Sequence, residues 1–331
     1  MDFIERLTRR IFWSLLVVMP FGSVAIADSE QKIAIPSYTP KTMFALARAH
    51  RDEWAQQSVT GVLTLPKSTT PVPVIVLSHG SAGVGPALNQ WVDAMSEIGV
   101  GTLVVDSFAP RGVISMVADQ AQLSPAANLM DAFQALKILS LDSRVDATRI
   151  GIMGFSKGGE VAFRSALEPL RKAVLGADSD LKFALHIPVY AGCNQVYWSP
   201  KTDRSPILNL VGVDDDYTGA AGCIELASKY EKAGNPVRTI EYAGAGHAWD
   251  SKQPYFYIPE ATSSRSCGVV RWDIETWAIE AESQHKKLDA SEAGPFLAAC
   301  AKRGVHYGRN DSAFRKSRSD VQAFIRQTFN L

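Results

Sequence analysis

The residues best equipped for chemistry lie in one short run, Gly151-Ile152-Met153-Gly154-Phe155-Ser156-Lys157-Gly158-Gly159-Glu160. A serine follows an apolar stretch, precedes a helix-like one, and has glycine two positions to either side. A strand that turns into a helix within a few residues, with a side chain standing at the apex, needs small neighbours at those positions. The pattern is G-x-S-x-G, a turn that presents a serine hydroxyl at the end of a sheet. That hydroxyl is a poor nucleophile at neutral pH and needs a base to take its proton as it attacks a carbonyl. Of the six histidines, His247 is best placed, on the glycine-flanked turn Ala243-Gly244-Ala245-Gly246-His247-Ala248-Trp249. His50 falls in a helix-like segment, His79 precedes a glycine turn, His186 lies inside a strand, and His285 and His306 lie in a polar region. A lone turn histidine is more often a solvated ring. The place of His247 after an acidic run marks it out, because the base needs a carboxylate against its far nitrogen. Asp214, Asp215 and Asp216 compete for that role. The acid is expected three residues after the glycine that closes the strand, which from Gly212 gives Asp215. The other two read as a solvated acidic turn capping the next helix. The oxyanion calls for two backbone N–H groups. One is expected from Lys157, whose side chain reads as solvated, and one from Ser81 in the loop after Val76-Leu77-Ser78-His79-Gly80.

The elements around these residues alternate. Strand-like runs cover 59–65, 72–80, 100–108, 149–154, 183–190, 206–213 and 237–244, and helix-like runs cover 89–99, 125–141, 157 to about 169, 219–234 and 318–329. The 72–80 run is continuously apolar and β-branched, as in a strand buried on both faces. Strands alternating with helices imply crossovers and a mostly parallel sheet with helices on both faces. Such sheets keep their chemistry at the carboxyl ends of the strands, where His79, Ser156, the acidic run and His247 all fall. The chain order serine, acid, histidine is that of an α/β hydrolase.

Length and composition agree with one such domain. The chain has 331 residues, 46% of them hydrophobic, with 34 basic and 34 acidic side chains. That balance gives no electrostatic reason to expect nucleic acid or an anionic membrane as partner. Arg6, Arg9 and Arg10 precede an apolar stretch and then Ala25-Ile26-Ala27, the small-x-small pattern of a signal peptidase site. The reading is a signal peptide over 1–27 and a mature domain over 28–331, periplasmic or secreted and with no stable membrane association after cleavage. Thr8-Arg9-Arg10-Ile11-Phe12 resembles a twin-arginine export signal, and arginine pairs also precede ordinary export signals. Cys193, Cys223, Cys267 and Cys300 form an even set in a chain read as exported, which favours disulfides. None has metal-ligand spacing. Of the three pairings that four cysteines allow, Cys193 with Cys223 and Cys267 with Cys300 is favoured. Cys193 follows the 183–190 strand and Cys223 lies in the helix after the acid, so neighbouring strand ends bring the first pair together, and the second would staple a segment with no evident core.

With these residues placed, the sequence resembles the dienelactone hydrolase family of the α/β-hydrolase superfamily. The blocks VDATRIGIMGFSKGGE, LVVDSFAPRG, LVGVDDDYT and YAGAGHAWD resemble that family's elbow, neighbouring strand, acid and histidine regions. The resemblance spans about residues 59–250 and resumes in the last helix. It implies a sheet sandwiched by helices, no cofactor, a small ester or lactone as substrate, and a cleft near Asp106, Ser107 and Arg111, residues that a buried ion pair or a helix-start turn explains equally well. The family's namesakes use cysteine where this chain has Ser156, so ester hydrolysis in general is the inference rather than dienelactone cleavage. Candidates for the pocket wall are His79, Gly80, Phe108, Trp249 and Tyr255. An insertion at about 251–310, carrying Tyr255, Tyr257, Trp272 and Trp277, reads either as a wall of that pocket or as a satellite core. The leading function is a serine hydrolase working through an acyl-enzyme. A peptidase or acyltransferase would use the same triad, and a non-catalytic binding protein would keep the fold without reacting with a fluorophosphonate.

Overall fold

The computed structural model describes residues 30–331, so the expected leader and its cleavage site lie outside the described residues. The central sheet has eight strands, and its first six are β1 (Gln31–Pro40), β2 (Trp54–Thr64), β3 (Val72–Ser78), β4 (Gly101–Asp106), β5 (Val145–Phe155) and β6 (His186–Val189). After β7 (Gln195–Trp198), which belongs to a smaller sheet, β8 (Ile207–Gly212) and β9 (Val237–Tyr242) complete it. The spatial order is β1-β2-β4-β3-β5-β6-β8-β9. Pairing is antiparallel from β1 to β4 and parallel from there to β9.

Helices cover both faces, as the alternation requires. On one side lie α2 (Pro86–Ser96) and the last helix, α8 (Asp311–Phe329), which bury Trp91 and Met95 against Phe314, Val321 and Ile325. On the other lie α3 (Pro125–Leu139), α4 (Lys157–Arg164) and α6 (Ala221–Lys232), contributing Leu129, Phe133, Phe163 and Tyr230. Every residue of β3 is buried, the reason its sequence shows no polar alternation. The helix after Ser156 is shorter than its expected run to about 169. It ends at Arg164, and Pro169, in the first turn of α5 (Glu168–Leu175), opens a separate helix.

β1 lies outside the expected strands, and β2 begins at Trp54, ahead of its expected run over 59–65. β1 is tied in by a buried ion pair: Arg111 Nη1 and Nη2 donate to Asp131 Oδ2 and Oδ1 at 2.7 and 2.9 Å, and Arg111 Nε reaches Thr39 Oγ1 at 2.8 Å. Ser37 Oγ donates to the same carboxylate at 2.5 Å. Arg111 is thus a fastener between β1 and α3 rather than a cleft residue. Asp106 also turns inward to local structure, its Oδ1 accepting from the amides of Phe108 and Ala109 at 3.0 Å each.

The insertion has two parts. A ribbon of β10 (Phe256–Ser263) and the later β14 (Lys302–Tyr307) lies over the carboxyl ends of the main strands. Between them β11 (Val270–Asp273), β12 (Ile279–Ala281) and β13 (Lys286–Leu288) extend from β7, with α7 (Ala290–Cys300) packed on Val270, Ile279 and Leu288. Trp272 stacks on Tyr197 and Trp277 packs on Phe44, so the tryptophans serve packing. Disulfides join Cys193 to Cys223 and Cys267 to Cys300, each with Cα atoms 5.1 Å apart. The closed loops of 30 and 33 residues make each bridge worth about 2–4 kcal/mol by restricting the unfolded chain.

Breaking one partner of a buried ion pair leaves an uncompensated charge and costs roughly 3–5 kcal/mol. Asp131→Asn is therefore expected to lower the unfolding free energy by about that amount in urea titrations. A loss below about 1 kcal/mol, the range of a surface pair, would mean that the pair does not hold β1.

Candidate active site

Ser156 stands between β5 and α4 with φ 53° and ψ −113°, a conformation that costs a non-glycine residue about 1–3 kcal/mol. The turn closes because its flanking residues have no side chain. A Cβ on Gly154 would lie 1.9 Å from the Gly158 carbonyl oxygen, and one on Gly158 would lie 2.0 Å from that of Ser78. The Ser156 amide donates to the Val189 carbonyl at 2.9 Å, which ties the apex to the end of β6.

His247 Nε2 lies 3.0 Å from Ser156 Oγ, and Nδ1 lies 2.8 Å from Asp215 Oδ2. All the expected members of this trio are therefore brought together. The Asp215 carboxylate also accepts from the amides of Tyr217 and Thr218 at 2.8 and 2.9 Å and from Thr218 Oγ1 at 2.8 Å. Burial pushes the Asp215 carboxyl up, but His247 and these donors outweigh it and hold the group below its ordinary range. An ionised Asp215 accepts only, so His247 carries its proton on Nδ1 and turns a lone pair on Nε2 toward the serine hydroxyl.

The three aspartates divide as the spacing from Gly212 suggests, with one correction. Asp214 is exposed. Asp216, expected to cap the following helix, instead binds His306: its Oδ1 accepts from the His306 amide, and its Oδ2 lies 2.8 Å from Nδ1. Residue 220, the true N-cap, is alanine and makes no side-chain cap. Beside this contact, β14 reaches the histidine loop, where the Gly308 amide donates to the His247 carbonyl at 3.0 Å. One strand of the insertion and the residue that follows it thus brace both the acid and histidine loops.

The amides of Lys157 and Ser81 donate to no acceptor among the described residues. At Lys157 this follows from its place in the first helical turn. At Ser81 the peptide plane is set by His79. The Ser107 amide donates to His79 Nε2 at 3.2 Å, so Nδ1 holds the proton and donates to the Gly80 carbonyl at 2.8 Å. In a trans peptide the Ser81 N–H then points the opposite way. Burial holds the His79 pKa below its ordinary value, which keeps the ring neutral and this arrangement intact.

Two cavities meet at Ser156. One, of about 500 Å³, is walled by His247 and by apolar groups including Val84, Leu88, Val117, Ile258 and Tyr307. The other, of about 350 Å³, is walled by polar groups including Lys157, Glu160, Arg164, Asn194 and Thr262. His79 and Gly80 line the first, as expected. Three other candidates line neither. Trp249 is fully buried under the histidine loop, with its indole N–H on Ser317 Oγ at 3.1 Å. Phe108 is buried with Met116 and Leu123 behind His79. Tyr255 is 50% exposed and stacks on His306 outside the cavity. The alternation of β10 explains the last miss, since the neighbouring Phe256 and then Ile258 face inward. Lys157 also departs from expectation, because its side chain is only 9% exposed. Tyr190 and Tyr217, not among the expected site residues, pack their rings on His247 at 4.9 and 4.8 Å. Both sit at strand ends, the signal that could have found them.

The dienelactone hydrolase family model matches residues 59–272, more than half of the chain. The chain belongs to that family. As a member it is a hydrolase acting on ester bonds. A Bradyrhizobium protein named as a probable 2-oxo-3-(5-oxofuran-2-ylidene)propanoate lactonase is 23% identical over 230 residues, covering 66% of this chain and 91% of that protein. Among solved structures, an esterase from Thermogutta terrifontis has 15% identity and a TM-score of 0.46, over 58% of this chain and 80% of its own. A dienelactone hydrolase-like promiscuous phosphotriesterase from metagenomic libraries has 14% identity and a TM-score of 0.43, over 66% of this chain and 84% of its own.

Gly158→Ala puts a methyl group against a backbone carbonyl that no rotamer change can move, and overpacking of that kind costs typically 1–3 kcal/mol or more. The variant is expected to lose at least about 3 kcal/mol in chemical denaturation or to fail to fold. Wild-type stability in Gly158→Ala would show that the turn opens more easily than its contacts imply.

Proposed function

We propose that this chain is a serine hydrolase that cleaves a small ester or lactone through an acyl-enzyme. The observation that carries the reading is the single imidazole placed between Ser156 Oγ at 3.0 Å and Asp215 Oδ2 at 2.8 Å. In the proposed reaction Ser156 Oγ attacks the carbonyl carbon while His247 Nε2 takes the hydroxyl proton. Asp215 holds the ring by Nδ1 and stabilises the imidazolium. The oxyanion that forms is received by the amides of Lys157 and Ser81, which have no other acceptor to give up and so need no rearrangement. His247 then passes its proton to the alcohol oxygen, the carbon–oxygen bond breaks, and the acyl group remains on Ser156. A water deprotonated by His247 attacks that ester, the acid leaves, and the proton returns to Ser156.

The lactone named for the Bradyrhizobium relative is in keeping with this substrate class. The proposal extends to place. The two disulfides support export to the periplasm or beyond, where such bonds form and persist.

Ser156→Ala is expected to cut kcat on p-nitrophenyl acetate by on the order of 10³-fold or more and to abolish fluorophosphonate labelling. Asp215→Asn, which turns the imidazole to the wrong tautomer, is expected to cost roughly 10⁴-fold. Asp214→Asn should change little, because that side chain is exposed. Near-normal turnover in Ser156→Ala would sink the reading, and equal effects at 214 and 215 would move the acid elsewhere.

A further inference from the structure

The two cavities differ in chemistry, and only one of them touches the histidine. His247 lines the apolar cavity, Lys157 lines the polar one, and Ser156 opens to both. This asymmetry decides which half of an ester goes where, an inference that rests on the acyl-enzyme reading above. In the tetrahedral intermediate the carbon carries Ser156 Oγ, the oxyanion, the alcohol oxygen and the acyl substituent. The alcohol oxygen must lie on the histidine side, since it accepts the proton from Nε2 as its bond to carbon breaks. The acyl substituent then points the other way, toward Lys157.

The walls on that side select for oxygen. Lys157 is only 9% exposed, and its ammonium has no hydrogen-bond or ion-pair partner among the described residues. Glu160 makes no hydrogen bond or ion pair with it, its Oε2 being engaged by Arg164 Nη2 at 2.7 Å, and acts on it only through its charge. Arg164 Nη1 is buried without a partner of its own. Ammonium and guanidinium groups donate and never accept, so an occupant that satisfies them carries acceptor oxygens. Burial also holds the Lys157 pKa below its ordinary value, which marks an ammonium short of solvation. On the histidine side Val84, Leu88, Val117 and Ile258 give a mostly apolar wall, with Ser251, Lys252 and Gln253 as its polar part.

We propose that the polar cavity binds the acyl half of the substrate and the apolar cavity its alcohol half, so that the preferred esters join a small oxygenated acid to an apolar alcohol. Lys157 is the specificity-determining residue for the acid. The two halves can be exchanged without changing a single atom count. Hexyl 3-hydroxybutanoate and 3-hydroxybutyl hexanoate are isomers with the polarity of acyl and alcohol reversed.

The test is kcat/KM for both isomers with the full mature chain. Wild type is expected to favour hexyl 3-hydroxybutanoate by about tenfold or more, the scale on which pockets of this kind discriminate. Lys157→Met keeps an unbranched side chain one atom shorter and removes its donors, and should bring the ratio toward one. Ile258→Asn should lower kcat/KM for hexyl 3-hydroxybutanoate more than for its methyl ester. A ratio near one or reversed, in enzyme that turns over p-nitrophenyl acetate, overturns the division while leaving the serine hydrolase reading in place. An unchanged ratio in Lys157→Met overturns the role given to Lys157. Failure to turn over either isomer or p-nitrophenyl acetate, with Ser156 unlabelled by fluorophosphonate, overturns both readings together.

Discussion

The first turn of α4 lies so close to the end of β3 that a Cβ on Gly158 would stand 2.0 Å from the Ser78 carbonyl oxygen. This approach of two backbones fixes Ser156 against the loop that follows β3, and the rest of the site is arranged around it. The same contact brings the free amide of Lys157 to the side of the loop that holds Ser81. His79 then sets the orientation of the Ser81 amide through the Gly80 carbonyl, at 2.8 Å. The strain held at Ser156 is affordable because strands on both sides of β5 are buried and cannot move to relieve it. A serine in the same sequence on an exposed edge would relax into an ordinary turn.

The acid and histidine come from β8 and β9, further along the sheet, and need bracing of their own. Three donors besides His247 hold the Asp215 carboxylate, two of them backbone amides of the turn that follows it. Its neighbour Asp216 faces outward and grips His306 on β14 by both ring and amide. Adjacent carboxylates in one turn thus do different work, one turned to the base and one to the insertion. Because β14 also bonds the His247 carbonyl through Gly308, the insertion is a structural part of the site as well as the roof of its apolar cavity.

Legibility in the sequence followed burial. The strands that carry the site are buried on both faces, so β3, β5 and β8 stand out as apolar runs, and the glycines at 154 and 158 report a contact that only glycine allows. Chain order then located the histidine, and the glycine closing β8 located the acid. What escaped notice was half-exposed. β1 and the first part of β2 mix buried and exposed residues, and their polar positions hide them. The ribbon of β10 and β14 is irregular, with a register shift between Ile258 and Thr262, so which of its aromatics face inward depends on pairing that no local pattern encodes. Trp249 and Phe108 were misjudged for a related reason. Nearness in sequence to a site residue says nothing about which side of the loop a ring takes, and a large ring with a nearby core is drawn into it.

Two buried carboxylates approach His247, and their surroundings set them apart. Asp215 meets the imidazole directly and is held ionised by it and by the donors of its turn. Asp250 is equally buried, but its oxygens go to the neutral donors Trp91 Nε1 at 2.7 Å and Tyr190 OH at 2.6 Å. Burial there wins over both hydrogen bonds, and the Asp250 carboxyl lies above its ordinary range. Environments that push two acids apart in this way separate their roles. Asp250 instead fixes the Tyr190 hydroxyl, and the Tyr190 ring, packed edge-on at 4.9 Å, limits how far His247 can turn. Orientation of the imidazole therefore has two sources, a charged one at Nδ1 and a steric one beneath the ring. Only the first changes energy as the proton moves.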